Sequence, residues 1–350
     1  MNVKDGLGCA ARRVRAATTP RRSTRRALLV AAAVWPALAW ASPVRAQAPA
    51  KVRRIGLLSL FSPSDAALWH RAFRQGLRDL GWVEGKDISF EYRFAEGRGD
   101  RLPDLADDLV RLKVDVIVAS ATLEALVAQG ATRVIPIVVV AAGDPVATGL
   151  VESLARPGGN ITGLSQMGPE LAAKRLELLK EMVPQLSHVA VLWNPRGVAS
   201  TLGWKEIQLP ARQLGVQLHP LEVRSLNDLD KAFEDATRAH DGALFIMPDA
   251  ATPTNLKRIA GLAAKSRLPS IFHISEFADA GGLVTYGVDR ADLYRRAGSF
   301  VDKILKGAKP VDLPIDRATK FELVVNMKTA KALGITIPQS ILLRADKVIE

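Results

Sequence analysis

The chain has 350 residues, 48% of them hydrophobic and 24% charged, with a formal net charge of +12 at pH 7 and one cysteine. That length exceeds one ordinary core and suits two lobes, and the composition is that of a water-soluble globular protein. Beyond residue 46 no segment approaches the roughly 20 unbroken apolar residues of a membrane span.

Residues 1–46 read as an export signal. Arg21, Arg22, Arg25 and Arg26 form a basic region, Ala27–Trp40 is an apolar stretch too short to cross a bilayer, and Val44-Arg45-Ala46 offers a cleavage site before Gln47. Thr24-Arg25-Arg26-Ala27-Leu28-Leu29 resembles the twin-arginine export motif, with general secretion as the alternative. The expected location of the mature chain is the periplasm. Cys9 precedes the apolar stretch, so neither a lipid at the cleavage site nor a disulfide is expected. The same 46 residues hold nine Lys/Arg and one acid, which leaves 39 bases against 35 acids, a net +4. A near-balanced mature chain removes the case for a nucleic-acid partner.

The mature part alternates short apolar strands with amphipathic helices. Strands are expected at Ile55–Leu60, Ile88–Phe94, Asp115–Ser120 and Ile135–Ala141, separated by helices ending near Leu80-Gly81, at Leu102–Leu112 and at Leu123–Gly130. The pattern then begins again: strands at His188–Trp193, Val216–Val223, Ala243–Met247 and Ser270–Ile274, with helices ending at Leu214-Gly215, at Asp228–Ala239 and at Leu256–Lys265. Each half has Leu-Gly after its first helix and a proline (Pro136, Pro269) introducing its fourth strand. Apolar strands alternating with helices imply parallel sheets with right-handed crossovers. The fold class is therefore α/β, with two doubly wound, Rossmann-like lobes.

Glycine-marked stretches are candidate crossings between lobes: Asn160–Ser165, then Gly281–Tyr286, with the tail Phe321–Asn326 and Lys328–Gly334 as a third. A helix at Leu293–Lys306 would return to the first lobe. The expected division is 52–162 plus 288–317 for one lobe and 166–284 plus 320–350 for the other. Such linkers suit hinge closure around a ligand, although any one glycine can equally end a strand or cap a helix.

No catalytic constellation is found. There is no phosphate-binding loop, no nucleophile elbow and no dinucleotide fingerprint after the first strand. The five histidines are scattered without metal-ligand spacing. No enzyme activity, cofactor or metal is expected. Ligands of open parallel sheets bind beyond the carboxyl ends of the strands. This places Phe61, Ser62, Ser120, Ala121, Thr122 and Gly143-Asp144 on one rim, and Asn194-Pro195, Pro248-Asp249 and His273–Glu276 on the other, with Phe272 and Tyr286 nearby. Hydroxyls and helix-start amides at Ser62 and Ser120–Thr122 suit a carboxylate, Asp144 and Asp249 an ammonium, and Phe61, Phe272 and Tyr286 an apolar side chain. An amino acid fits that set. Asp144 has a second reading, as the cap of a helix Val146–Leu154 with Pro145 at its first position, and Asp249 sits in a turn-like sequence.

Three runs carry a family likeness: GDPVATGLVESLARPGGNITGLS, LAAKRLELLKEMVPQLSHVAVLWNP and TKFELVVNMKTAKALGITIPQSILLRADKVIE. Over residues 52–350 the chain resembles the substrate-binding proteins of ABC importers, in particular the tryptophan/tyrosine-type transport binding proteins. The resemblance implies a type I periplasmic binding fold, with three crossings and closure on one small molecule, an aromatic amino acid in characterised relatives. It also implies an ABC permease in the inner membrane as partner. Asp144-Pro145, Asn194-Pro195 and Pro248-Asp249 match the family pattern, whereas Phe61–Ala66 and His273–Phe277 depart from it, which leaves a branched-chain or aromatic acid open as ligand. A sensory subunit docking on a membrane receptor, or a secreted enzyme on the same scaffold, are the alternative functions.

Overall fold

The computed structural model describes residues 51–249 and 252–350; the expected export signal lies outside the described residues. In chain order the first set of elements is β1 (Arg53–Ser59), α1 (Ala67–Asp79), β2 (Ile88–Phe94), α2 (Leu102–Arg111), β3 (Val116–Ala121), α3 (Thr122–Ala131), β4 (Ile137–Ala142) and β5 (Ile161–Ser165). The second set runs α4 (Gly168–Met182), β6 (His188–Trp193), α5 (Val198–Gln213), β7 (Gln217–Glu222), α6 (Leu229–Arg238), β8 (Ala243–Ile246), α7 (Leu256–Lys265), β9 (Ser270–Phe272), α8 (Glu276–Asp279) and β10 (Val284–Val288). The chain ends with α9 (Arg290–Leu305), β11 (Asp316–Arg317), β12 (Phe321–Asn326), α10 (Met327–Leu333), α11 (Gln339–Leu342) and β13 (Lys347–Ile349).

These strands form two sheets, β11-β5-β4-β3-β1-β2 and β13-β12-β10-β9-β8-β6-β7. All pairs are parallel except β10 with β12, which run antiparallel. Each sheet has a buried apolar cluster on both faces. That sandwiching explains why β3 and β4 are apolar on successive residues rather than on alternate ones.

Two expected crossings prove to be strands. Ile161–Ser165 is β5, and residues 284–286 belong to β10. Their glycines serve close strand packing: Gly163 has φ +135°, and a Cβ there would lie 2.0 Å from the Val139 carbonyl oxygen. The chain changes sheet just after these strands, between β5 and α4, between β10 and α9, and between β11 and β12. The tail segment Phe321–Asn326, expected as a strand beside the third crossing, is β12 of the second sheet. No helix forms at Val146–Leu154, where residues 145–150 make turns.

The passages are tied together. The Arg175 guanidinium, fully buried, donates to the carbonyls of Gly168 and Tyr286, at 3.3 Å each. The Asp289 amide donates to the Lys320 carbonyl at 3.0 Å, and the Lys320 ammonium returns to the Asp289 carboxylate at 2.7 Å.

Helix α9 is capped by Asp289, whose carboxylate accepts from the Asp292 amide, and it packs on α1 of the first lobe. The approach is close because Gly76 and Gly298 face one another; a Cβ on Gly76 would sit 2.3 Å from the Arg295 carbonyl oxygen. Helix propensity favours alanine over glycine by about 1 kcal/mol. A backbone clash of this kind costs about 1–3 kcal/mol or more, so the clash decides the sign. Gly76→Ala is expected to lower unfolding stability by about 1–2 kcal/mol in a urea titration; an increase would show that α1 and α9 separate freely.

Candidate functional site

The carboxyl ends of both sheets open onto one cleft of about 360 Å3. The first rim contributes Leu60 and Phe61 after β1, and Ala121, Thr122 and Glu124 around the start of α3. The opposite rim contributes Asn194 and Arg196 after β6, Asp249 after β8, and His273 and Ile274 after β9. Gln166 and Arg290 enter from two of the passages between lobes. The rims are close together: a Cβ on Gly97 of the first lobe would lie 3.3 Å from the side chain of Thr254 of the second.

Of the ten residues expected from the sequence, Phe61, Ala121, Thr122, Asn194 and Asp249 line this cleft. The other five are engaged elsewhere. The Ser62 hydroxyl donates to the Asp65 carboxylate at 2.6 Å and accepts from the Asp65 amide at 3.2 Å, which shapes the turn into α1. Ser120 is buried; its hydroxyl donates to the Leu58 carbonyl and accepts from the Tyr294 hydroxyl at 2.8 Å. The Asp144 carboxylate accepts from the Val146 and Ala147 amides at 3.1 and 2.9 Å, so it caps a turn. Phe272 is fully buried in the core against Phe277 and does not line the cleft. Tyr286 stacks on Phe321 with ring centroids 6.3 Å apart.

Three further lining residues bear on the chemistry: His273, which the sequence placed on the rim, and Glu124 and Arg290, which it did not single out. Glu124, 2% exposed, accepts the Leu60 amide at 2.9 Å, and burial raises its pKa above the ordinary carboxylate range. His273 is held neutral: burial, with the Arg175 and Arg290 guanidinia nearby, pulls its pKa well down, and its Nδ1 atom is buried without a hydrogen-bond partner. Arg290, the first residue of α9, lies with its guanidinium 5.0 Å from the Phe61 ring centre and 4.4 Å from that of Trp69. Its buried Nε also has no partner. Trp69 is held in turn by edge contact with Phe61 and by stacking on Tyr294. The signal that would have found Arg290 is its place just beyond the carboxyl end of a strand, Gly287-Val288-Asp289-Arg290; taking Gly281–Tyr286 for a linker hid it.

On the opposite rim the Asp249 carboxylate accepts from the Asn194 side-chain amide at 2.9 Å, and Asn194 Oδ1 in turn accepts from the Arg196 amide. The cleft thus carries a guanidinium and a carboxylate on separate elements with apolar walls between, Leu60, Phe61, Leu126 and Ile274. Such an arrangement can hold a small molecule bearing charges of both signs and an apolar body.

Two lobes of parallel sheet, exchanged three times by the chain and meeting at such a cleft, define the type I periplasmic binding fold. Residues 58–349 match the family model described as ABC transporter substrate binding protein, and the chain belongs to that family, whose members bind solutes and are not enzymes. It is 26% identical over 285 residues to the tyrosine-binding protein of Clostridioides difficile (strain R20291), spanning 81% of this chain and 82% of that one. A solved structure of an ABC domain from Streptococcus pneumoniae in complex with L-Trp is 28% identical and superposes with a TM-score of 0.79, covering 85% of this chain and all of the other. The ligand-free, open structure of a substrate-binding protein with adhesive properties from Clostridium difficile is 25% identical, with a TM-score of 0.65 over 85% of this chain and 99% of that one.

Because its carboxylate is satisfied within its own turn, Asp144→Ala is expected to cost about 1 kcal/mol of stability and to leave ligand affinity unchanged within error. A large loss of affinity at unaltered melting temperature would return Asp144 to the binding set.

Proposed function

We propose that the protein is an exported receptor that captures an aromatic amino acid between its lobes and delivers it to an ABC importer in the inner membrane. The observation that carries this reading is the cleft itself, which joins Arg290 and Asp249 across apolar walls in a volume of about 360 Å3. The relatives that bind L-Trp and tyrosine support it. Phe61 with Leu60, Leu126 and Ile274 surround the aromatic side chain, and Asp249, oriented by Asn194, takes the ammonium. Thr122 fixes the rim, since its hydroxyl accepts the Gly143 amide at 3.0 Å. No covalent step is involved: the ligand favours the closed arrangement because it contacts both rims only there. Export follows from the signal at residues 1–46.

L-tryptophan or L-tyrosine at about 100 times its dissociation constant is expected to raise the melting temperature by about 5 °C, while sugars leave it unchanged. Asp249→Ala is expected to weaken that binding about 50-fold or more, as loss of one partner from a desolvated charge pair does. No response to any aromatic amino acid, or full affinity in Asp249→Ala, would overturn the assignment.

A further inference from the structure

The sequence assigned a ligand carboxylate to serine and threonine hydroxyls, and the structure withdraws the serines, since Ser62 and Ser120 spend their hydroxyls on Asp65, Leu58 and Tyr294. We propose that Arg290, with His273 beside it and Arg175 behind, forms a carboxylate subsite at the floor of the cleft, and that this subsite makes a free acid group the first requirement for binding. The proposal deepens the amino-acid reading above and rests on it.

Arg290 is a cation with no ion-pair partner among the described residues. Its guanidinium carbon lies 5.0 Å from the centre of the Phe61 ring and 4.4 Å from that of Trp69, two rings set nearly perpendicular to one another. A planar guanidinium held by its face can donate hydrogen bonds only through its edge, in plane, which is the geometry that grips a carboxylate with two parallel bonds. Its buried Nε donor is unused. Glu124 lines the same cleft; its carboxylate accepts from the Leu60 amide, burial raises its pKa while the nearby Arg290 charge opposes that rise, and the two make no direct ion pair among the described residues.

A second observation comes from the opposite side of the floor. Arg175 is 1% exposed and, among the described residues, forms no ion pair and leaves its Nε without a hydrogen-bond partner. Burial lowers its pKa to about 10, so it remains a cation at neutral pH. It lines a void of about 10 Å3 together with His273 and Gln166, both of which also line the main cleft. A void of that size fits one water, given polar partners. The Arg175 Nε–H can donate to such a water, and the neutral His273 ring can accept from it at Nδ1, the two orphaned atoms thereby satisfying each other's needs. The floor then carries two cations and the buried Glu124, with no direct ion pair between Glu124 and Arg290, while the acid offered to a ligand ammonium, Asp249, stands on the second lobe's rim. An amino acid would place its carboxylate on Arg290, which α9 seats on the first lobe, and its ammonium on Asp249. One ligand would thus pull the two lobes together.

The test is isothermal titration of the purified protein with L-tryptophan, L-tyrosine and L-leucine and with the amide of each, in which only the carboxylate is altered. Each acid that binds is expected to be about 100-fold or more tighter than its amide. In Arg290→Gln this preference falls to within about threefold, and Arg290→Lys keeps the charge but not the stacked plane, so it retains about tenfold. Arg175→Met lowers the preference by a smaller factor. An amide that binds within threefold of its acid in the wild-type protein overturns the subsite while leaving the amino-acid reading in place. Binding of leucine alone, with its amide excluded, supports the subsite and overturns the aromatic preference. Binding of none of the three acids overturns both. The wild-type comparison decides the matter even if an Arg290 variant does not fold.

Discussion

The strands of a parallel sheet all point one way, so every loop leaving their carboxyl ends falls on a single rim, and everything functional in this protein descends from that constraint. One sheet would present its rim to solvent. Here the chain passes between sheets three times, and the passages bring the two rims face to face. A cleft formed in this way draws its walls from residues far apart in sequence, from Phe61 to Arg290, and from elements with separate cores. A small molecule bound in such a cleft touches residues of both lobes at once.

The passages themselves are held by polar contacts rather than by apolar packing alone. Arg175 bridges carbonyls on either side of two passages, and the Asp289–Lys320 pair links the second to the third. Met167, in the first passage, holds φ +53°, a conformation that costs a non-glycine residue free energy and is tolerated where neighbours enforce it. Arg175, buried, bonded to carbonyls at two of the passages and without an ion-pair partner among the described residues, also stands beside His273 of the cleft. The same residue therefore serves shape and charge.

The alternation of strands and helices was legible because both faces of each sheet are covered, which forces continuous apolar runs such as Ile137–Ala142 that stand out from the amphipathic helices between them. The repetition of that pattern revealed two lobes. Linkers were harder: β5 and β10 contain glycines because neighbouring backbones approach closely, as at Gly163 and the Val139 carbonyl, and glycine for packing looks the same in sequence as glycine for a hinge. The family likeness supplied the fold and the general activity, while side-chain roles at the rim needed coordinates. Ser120 looked free until Tyr294, 174 positions away, proved to hold it. Phe272 belongs to a strand and is buried in the core rather than lining the cleft. Arg290 went unread in the sequence, and only its guanidinium's approach to the Phe61 and Trp69 rings shows it to be held at the site.

The most direct measurement of a ligand-coupled approach of the lobes uses the lack of cysteine after Cys9. Labels on cysteines introduced at Arg98 and Lys257, both exposed and on opposite lobes, report the separation of the rims by pulsed electron spin resonance. Without ligand a broad or long distance is expected, and saturation with L-tryptophan or L-tyrosine should collapse it to a single short one. A distribution unchanged at saturation, with binding verified by calorimetry on the same sample, would contradict closure as the basis of capture.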